Sequence, residues 1–415
     1  MKKSQSIAAI LIAIAVLITC LSGCGQTTEE LLDNSFFTAD ISGLSIGENI
    51  QIVGLGEASH GASEFQQLKG DIFKALVTNN ACRVFAIEGD FGGCAKVNEY
   101  IHGGDGTAQE AVAKIGFRIY RTQEMADIVE WMRTYNETAP NGKDLYFYGF
   151  DAQRYDNNKE LLFEYLTATM PTLAQTYASK LSSLTDEDMY SLDKSTLAQA
   201  VNNISALMLE MENQKSSNLD ATAQFEYELA LQYAQCILEN TQLRGESSGY
   251  SKMRDALMAK KVEWIAQHEG GLIFINGHNG HIGKQSVSGY TCMGKLLDEK
   301  YGEAYFTIGT DAENTHFNAL DGDTYKEFAV ENENAFTNQL NGPDENLYYL
   351  EFAKASQDEE WQGVLTSQQR MTALNVDFSD IKKAVKLFYT LTVIPSKAYD
   401  GIIVMKNTEP THLLD

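Results

Sequence analysis

Gln51-Ile-Val-Gly-Leu-Gly-Glu-Ala-Ser-His-Gly61 is the stretch whose reading decides the fold. Gln51 to Leu55 reads as a buried strand, and glycines 54, 56 and 61 predict a sharp turn where Glu57 and His60 appear. An acid and an imidazole thus leave one strand end together. Three further apolar runs also end in a titratable side chain: Val84 to Ile87 ends in Glu88, Leu145 to Phe150 in Asp151, and Leu272 to Gly277 in His278, with His281 three residues on. As parallel strands of one sheet, these runs bring the groups together at its carboxyl edge, where open α/β sheets place their sites.

The segments between the runs fit that sheet. Phe65, Leu68, Ile72, Phe73, Leu76 and Val77 have helical spacing, so strand, helix and strand follow in the order of a right-handed parallel crossover. Thr122 is a good N-cap for a periodic helix carrying Met125, Ile128, Val129 and Met132. Between Asn157 and about His268 no β-rich run occurs, and the spacing predicts helices near 157–180, 194–214, 221–243 and 250–268. A further helix is expected at 292–300, with strands at 304–308 and 401–405. The expected fold class is α/β, a mostly parallel, three-layer sheet flanked by helices, with a large helical insertion at about 157–268 that walls or roofs the site.

Lys2-Lys3, the apolar run Ile7 to Leu21 and Leu21-Ser-Gly-Cys24 read as an export signal, too short for a confident membrane span. The last four residues resemble the lipobox of bacterial lipoproteins, which implies cleavage after residue 23 and a lipid on Cys24. Residues 24–38 then form a tether and 39–415 the α/β domain, held at the extracytoplasmic face of the cell membrane. The net charge of −25 becomes −27 once Lys2 and Lys3 are removed. Such a surface excludes nucleic acid as a partner and repels anionic headgroups, leaving attachment to the lipid. Cys82, Cys94, Cys236 and Cys292 lack CxxC spacing and read as core thiols, with one disulfide open to them in an oxidising compartment.

Several chemistries drop out. Ser59, preceded by Glu57-Ala58 and followed by His60, is not the serine of a G-x-S-x-G nucleophile elbow, H-E-x-x-H and a P-loop are absent, and the dinucleotide fingerprint fails at position 59. What remains is Glu57, His60, Glu88, His278 and His281, with Asp151. A histidine oriented by a carboxylate can take a proton from water, while a second imidazole, or a cation such as Lys69 or Arg121, steadies the oxyanion. His60, Glu88, His278 and His281 could instead hold a divalent metal that generates hydroxide.

At these residues the chain resembles the erythromycin esterase family. The resemblance rests on Gly56-Glu-Ala-Ser-His-Gly61, Lys69, Ala86-Ile-Glu88, Arg121-Thr-Gln-Glu-Met and Tyr148-Gly-Phe-Asp151. It extends through Arg254-Asp255 with Met258, Lys261 and Trp264, Gly277-His-Asn-Gly-His281 and Tyr399-Asp-Gly-Ile-Ile. It implies hydrolysis of a macrolide lactone without a serine nucleophile or cofactor, with His60 as base on water and Glu57, Glu88, His278 and His281 completing the site. Lys69 stands where the family commonly has arginine, and the loop Gly89 to Gly93 is glycine-rich. The alternatives are a metal-dependent hydrolase of another substrate, or a non-catalytic lipoprotein that binds haem or a small ligand.

Overall fold

The computed structural model describes residues 32–340 and 345–414. The export segment and Cys24 therefore lie outside the described residues. Everything below concerns the compact unit Ser35–Asp415.

Its strands are β1 (Phe37–Thr38), β2 (Ile52–Glu57), β3 (Val84–Asp90), β4 (Tyr146–Asp151), β5 (Ile273–His278), β6 (Tyr305–Asp321), β7 (Thr324–Glu331), β8 (Leu347–Glu351), β9 (Gln369–Thr372), β10 (Thr390–Val393) and β11 (Gly401–Thr408). The main sheet runs β1-β8-β11-β6-β2-β5-β3-β4, with β7 paired to β6, while β9 and β10 form a separate antiparallel pair. From β11 to β4 every neighbouring pair is parallel. The antiparallel contacts are confined to β8, β1 and β7.

The parallel centre follows from residue type. β2, β3 and β5 are buried along their whole length, as strands covered on both faces must be. Their period of two divides them between two cores. Val53, Leu55, Phe85, Ile87 and Phe274 pack with Phe65, Phe73, Met125 and Val129, from the helices Ser63–Asn80 and Gln123–Thr138. Ile52, Val84, Ala86, Ile273 and Ile275 face the opposite core with Met258, Val262 and Met293, from the helices Tyr250–Glu269 and Met293–Tyr301. Thr122 caps its helix as expected, accepting a bond from the Met125 N–H at 3.2 Å.

Helices Asp156–Thr169, Pro171–Ala178, Lys194–Gln214, Ala221–Gly245 and Tyr250–Glu269 fill the stretch between β4 and β5. Pro171 divides what the spacing predicts as a single helix, since it sits at a first helical position where its missing N–H costs nothing. A larger difference is β6, which continues 13 residues past Ile308 and pairs with β7 across Gly322. Its polar residues read as a strand end, yet Asp311 is buried and accepts from Asn334 and the Thr372 N–H. The four described cysteines are buried free thiols.

The glycines of the opening stretch do different work from that expected. Gly54, Gly56 and Gly61 are absent from the positive-φ residues, so it is space that requires them. A Cβ on Gly56 would lie 2.2 Å from Asn279 Oδ1, and one on Gly61 would lie 1.8 Å from the Asn318 carbonyl oxygen. The latter neighbour is backbone and cannot swing away. Gly61→Ala is therefore expected to cost at least about 2 kcal/mol in urea unfolding. Gly43→Ala, where nothing lies within 4 Å, should stay within about 0.5 kcal/mol of the parent; equal effects would contradict this reading.

Candidate active site

The four strands whose ends carry the titratable residues are consecutive in the sheet, in the order β2-β5-β3-β4. Register brings them level: Glu57 pairs with His278, and Ile87, next to Glu88, pairs with Asn276. A register shift between Ile87 and Asp90 marks an irregularity around Glu88, and Glu88 Oε2 accepts the His278 N–H at 3.0 Å. The segment after His278 is one helical turn, Asn279–Ile282. Asn279 fixes it, because its side chain donates to the Thr310 carbonyl at 2.8 Å and accepts from the Thr310 N–H at 3.1 Å.

Glu57 Oε1 lies 2.5 Å from His60 Nδ1, and Oε2 lies 2.7 Å from Lys69 Nζ, an ion pair without hydrogen-bond alignment. Gln66 Nε2 donates to the His60 carbonyl at 3.0 Å. Burial works against ionisation of Glu57, but the Lys69 ammonium and His60 outweigh it and hold the carboxyl at about 2. With Glu57 ionised, the proton on the His60 ring sits at Nδ1, which leaves Nε2 as the free basic nitrogen.

His278 is the electrostatic opposite. Burial depresses its imidazole to about 3, and neighbouring His60 and His281 push the same way. Its ring centre lies 5.4 Å from that of His60. The Gly280 N–H donates to His278 Nδ1 at 3.3 Å, so the proton is on Nε2. That buried Nε2 has no hydrogen-bond partner among the described residues.

Around this pair the remaining charges are compensated. Arg254 bridges Glu88 Oε1 at 2.6 Å and Asp151 Oδ2 at 2.7 Å. His281 sets Nδ1 2.9 Å from Asp255 and Nε2 3.5 Å from Glu88. Burial opposes a charge on His281, but Glu88 and Asp255 overcome it and raise its pKa. Burial likewise opposes the Glu88 carboxylate, and His281 and Arg254 override it, lowering its pKa.

The structure therefore gathers Glu57, His60, Glu88, Asp151, His278, His281 and Lys69. Arg121 stands elsewhere, exposed in the turn before its helix, where its carbonyl accepts from Leu414. The guanidinium that serves the carboxylates belongs to Arg254. Lys69 is fully buried against Glu57, which commits its charge to that acid rather than to an oxyanion. Arg254 and Asp255 entered the sequence reading only as part of a motif.

Glu88, the one carboxylate of the alternative metal set, is already paired with Arg254 and faces His281. Among the described residues no group of three or more His, Cys, Asp or Glu side chains is placed to hold a metal ion. A cavity of about 190 Å³ opens beside His278 and His281, bordered by Tyr290, Ala373, Phe388 and Leu391.

Fold and site together define an α/β protein with an imidazole–carboxylate cluster at the carboxyl edge of parallel strands. The erythromycin esterase family model matches residues 77–408, and the chain belongs to that family. The matched range begins after Glu57 and His60. The chain is similar to erythromycin esterase type II of Escherichia coli, 25% identical over 314 residues that span 68% of this chain and 74% of the relative. A crystallised Bacillus cereus protein shares the fold with a TM-score of 0.75 at 22% identity, covering 89% of this chain and 91% of its own. A mutant of erythromycin esterase EreC in its open conformation gives 0.60 at 15% identity, with 89% and 93% covered. Family membership supports a hydrolase.

Removing the cation beside Glu57 tests the electrostatics. Lys69→Met removes the ammonium from the buried Glu57 carboxylate, leaving it the contacts of His60 and Gln66, and is expected to cost about 3–5 kcal/mol at pH 7. Because the folded-state pKa of Glu57 is depressed to about 2 from 4.5, its stabilising contribution is present above pH 4.5 and fades as pH falls toward 2. The gap between Lys69→Met and the parent in urea unfolding should therefore narrow below pH 4.5. A gap independent of pH would contradict the pairing.

Proposed function

We propose that the chain hydrolyses an ester, a macrolide lactone of the erythromycin type, by water activation at His60 without a serine nucleophile. What carries this reading is the juxtaposition of a carboxylate-oriented base, His60, with a neutral donor, His278 Nε2–H, that lacks a partner. In the proposed step His60 Nε2 takes a proton from water while the oxygen attacks the ester carbonyl carbon. The developing oxyanion accepts from His278 Nε2–H. A neutral imidazole serves here because it donates without having to give up its proton. Collapse then breaks the acyl–oxygen bond, and the leaving alkoxide takes the proton from His60, giving a carboxylic acid and a hydroxyl.

Glu57 fixes the ring of His60, and Lys69 keeps Glu57 ionised. Glu88, with Arg254, Asp151 and the His281–Asp255 pair, positions the backbone of His278. The cavity is smaller than the roughly 300–1,000 Å³ of sites that engulf a drug-sized ligand. A large ring would therefore present its ester to the cavity and keep its body at the rim. We further propose that the lipobox-like Cys24 holds the enzyme at the extracytoplasmic face, where it meets the compound before entry.

Incubation with erythromycin, followed by mass spectrometry, should show a product heavier by one water. No product from the folded protein would overturn the substrate. His60→Ala is expected to lower kcat by roughly 10²–10⁴, and His278→Ala by roughly 10²–10³. Full activity in the His60→Ala variant would overturn the mechanism.

A further inference from the structure

The segment between Phe378 and Tyr389 turns its side chains outward. Phe378 and Tyr389 are buried, and their ring centres lie 6.2 Å apart, which pins both ends of the segment. Between them Ile381, Val385, Leu387 and Phe388 are 80%, 45%, 74% and 52% exposed. Of the large exposed apolar side chains among the described residues, only Tyr190 and Leu209 lie elsewhere. Single exposed apolar residues need no explanation, but a cluster does.

Charge separates the candidate occupants. Lys382, Lys383 and Lys386 interleave with the apolar residues, and no acid occurs from Ile381 to Phe388, although the chain carries −25. The acids facing the segment are Asp377, paired with Lys382, Asp380 at the start of its first turn, and Glu331, which shares a surface groove with Lys383 and Lys386. Leu387 and Phe388 also border the cavity that holds His278 and His281. The body of a bound substrate would cover those two but leave Ile381, Val385 and the lysines unexplained. An anionic bilayer uses all of them: apolar side chains enter the headgroup–acyl boundary while ammonium groups meet lipid phosphates.

We propose that residues 381–388 dock the mouth of the cavity onto an anionic lipid surface, so that an apolar substrate dissolved in the bilayer reaches the site directly. The docking rests neither on the ester reading nor on an anchor at Cys24. The overall negative charge argues against general attraction to such lipids, and Asp377, Asp380 and Glu331 offset part of the lysine charge; within a Debye length of about 8 Å it is Lys383 and Lys386, set among the exposed apolar side chains, that meet the lipid phosphates.

Hydrogen exchange of the full chain tests this, with phosphatidylcholine vesicles and with equimolar phosphatidylcholine–phosphatidylglycerol vesicles. Amides of residues 381–388 are expected to exchange at least about tenfold more slowly with the anionic vesicles only, and high salt should weaken the effect. The double variant Ile381→Ser, Val385→Ser should lose this local protection while exchange in β2, β3 and β5 stays unchanged. A lipid-held amino terminus alone leaves the segment unprotected, and hydrolysis does not enter the readout. The proposal is overturned if neither vesicle protects the segment. It is equally overturned if erythromycin without vesicles protects it, which would make it a substrate platform, or if protection grows with protein concentration alone, which would mark contact with a second copy.

Discussion

A single carboxylate, Glu57, buried between an imidazole and an ammonium, is the constraint on which the rest depends. A charge out of water is tolerated only when it is paired and hydrogen-bonded; Lys69, from the helix following the turn, supplies the ion pair and His60 the hydrogen bond. The pairing lets Glu57 stay ionised, and an ionised Glu57 decides which nitrogen of His60 carries the proton. The same rule organises the other side of the site. Glu88 and Asp151 share Arg254, and His281 has Asp255. Burial, with His60 and His281 nearby, keeps His278 neutral, and its Nε2 has no hydrogen-bond partner among the described residues.

Parts of the chain far from the histidines hold this arrangement in place. Leu374, just beyond β9, donates its N–H to the Ala58 carbonyl at 2.7 Å and so supports the turn that carries His60. Asn279 ties the turn after His278 to β6, and Tyr399 donates to the Asn279 carbonyl at 3.1 Å. Gly56 is needed because Asn279 lies against it. The carboxyl edge is thus braced by the last third of the chain, where sequence patterning carries the least information.

The sheet was readable because β2, β3, β4 and β5 are apolar runs that stop at glycine or an acid, and their ends did converge. Their spatial order was not readable, since parallel strands joined by crossovers leave no local trace of which neighbour they choose. β6 was cut short in the reading because buried Asp311 and Thr310 look like a strand end until Asn334, Thr372 and Asn279 supply their partners. Arg254 escaped for a related reason. On a helix a charged residue ordinarily reads as solvated, whereas Arg121 beside a predicted turn looked functional and proved to be exposed. Lys69 reads in sequence as a cation open to an oxyanion, because the buried acid that claims it, Glu57, is brought to it only by the turn between strand and helix.

His278 and His281 hold unlike protonation states, because burial keeps the first neutral while Glu88 and Asp255 overcome burial at the second. Imidazole nitrogen-15 shifts of histidine-labelled protein, followed from pH 8 down to pH 4, test this most directly. His278 is expected to remain neutral with its proton on Nε2 throughout, consistent with a pKa near 3, while His281 carries charge to higher pH than an ordinary histidine. A His278 that gains its second proton between pH 6 and 7, or carries its single proton on Nδ1, would contradict it.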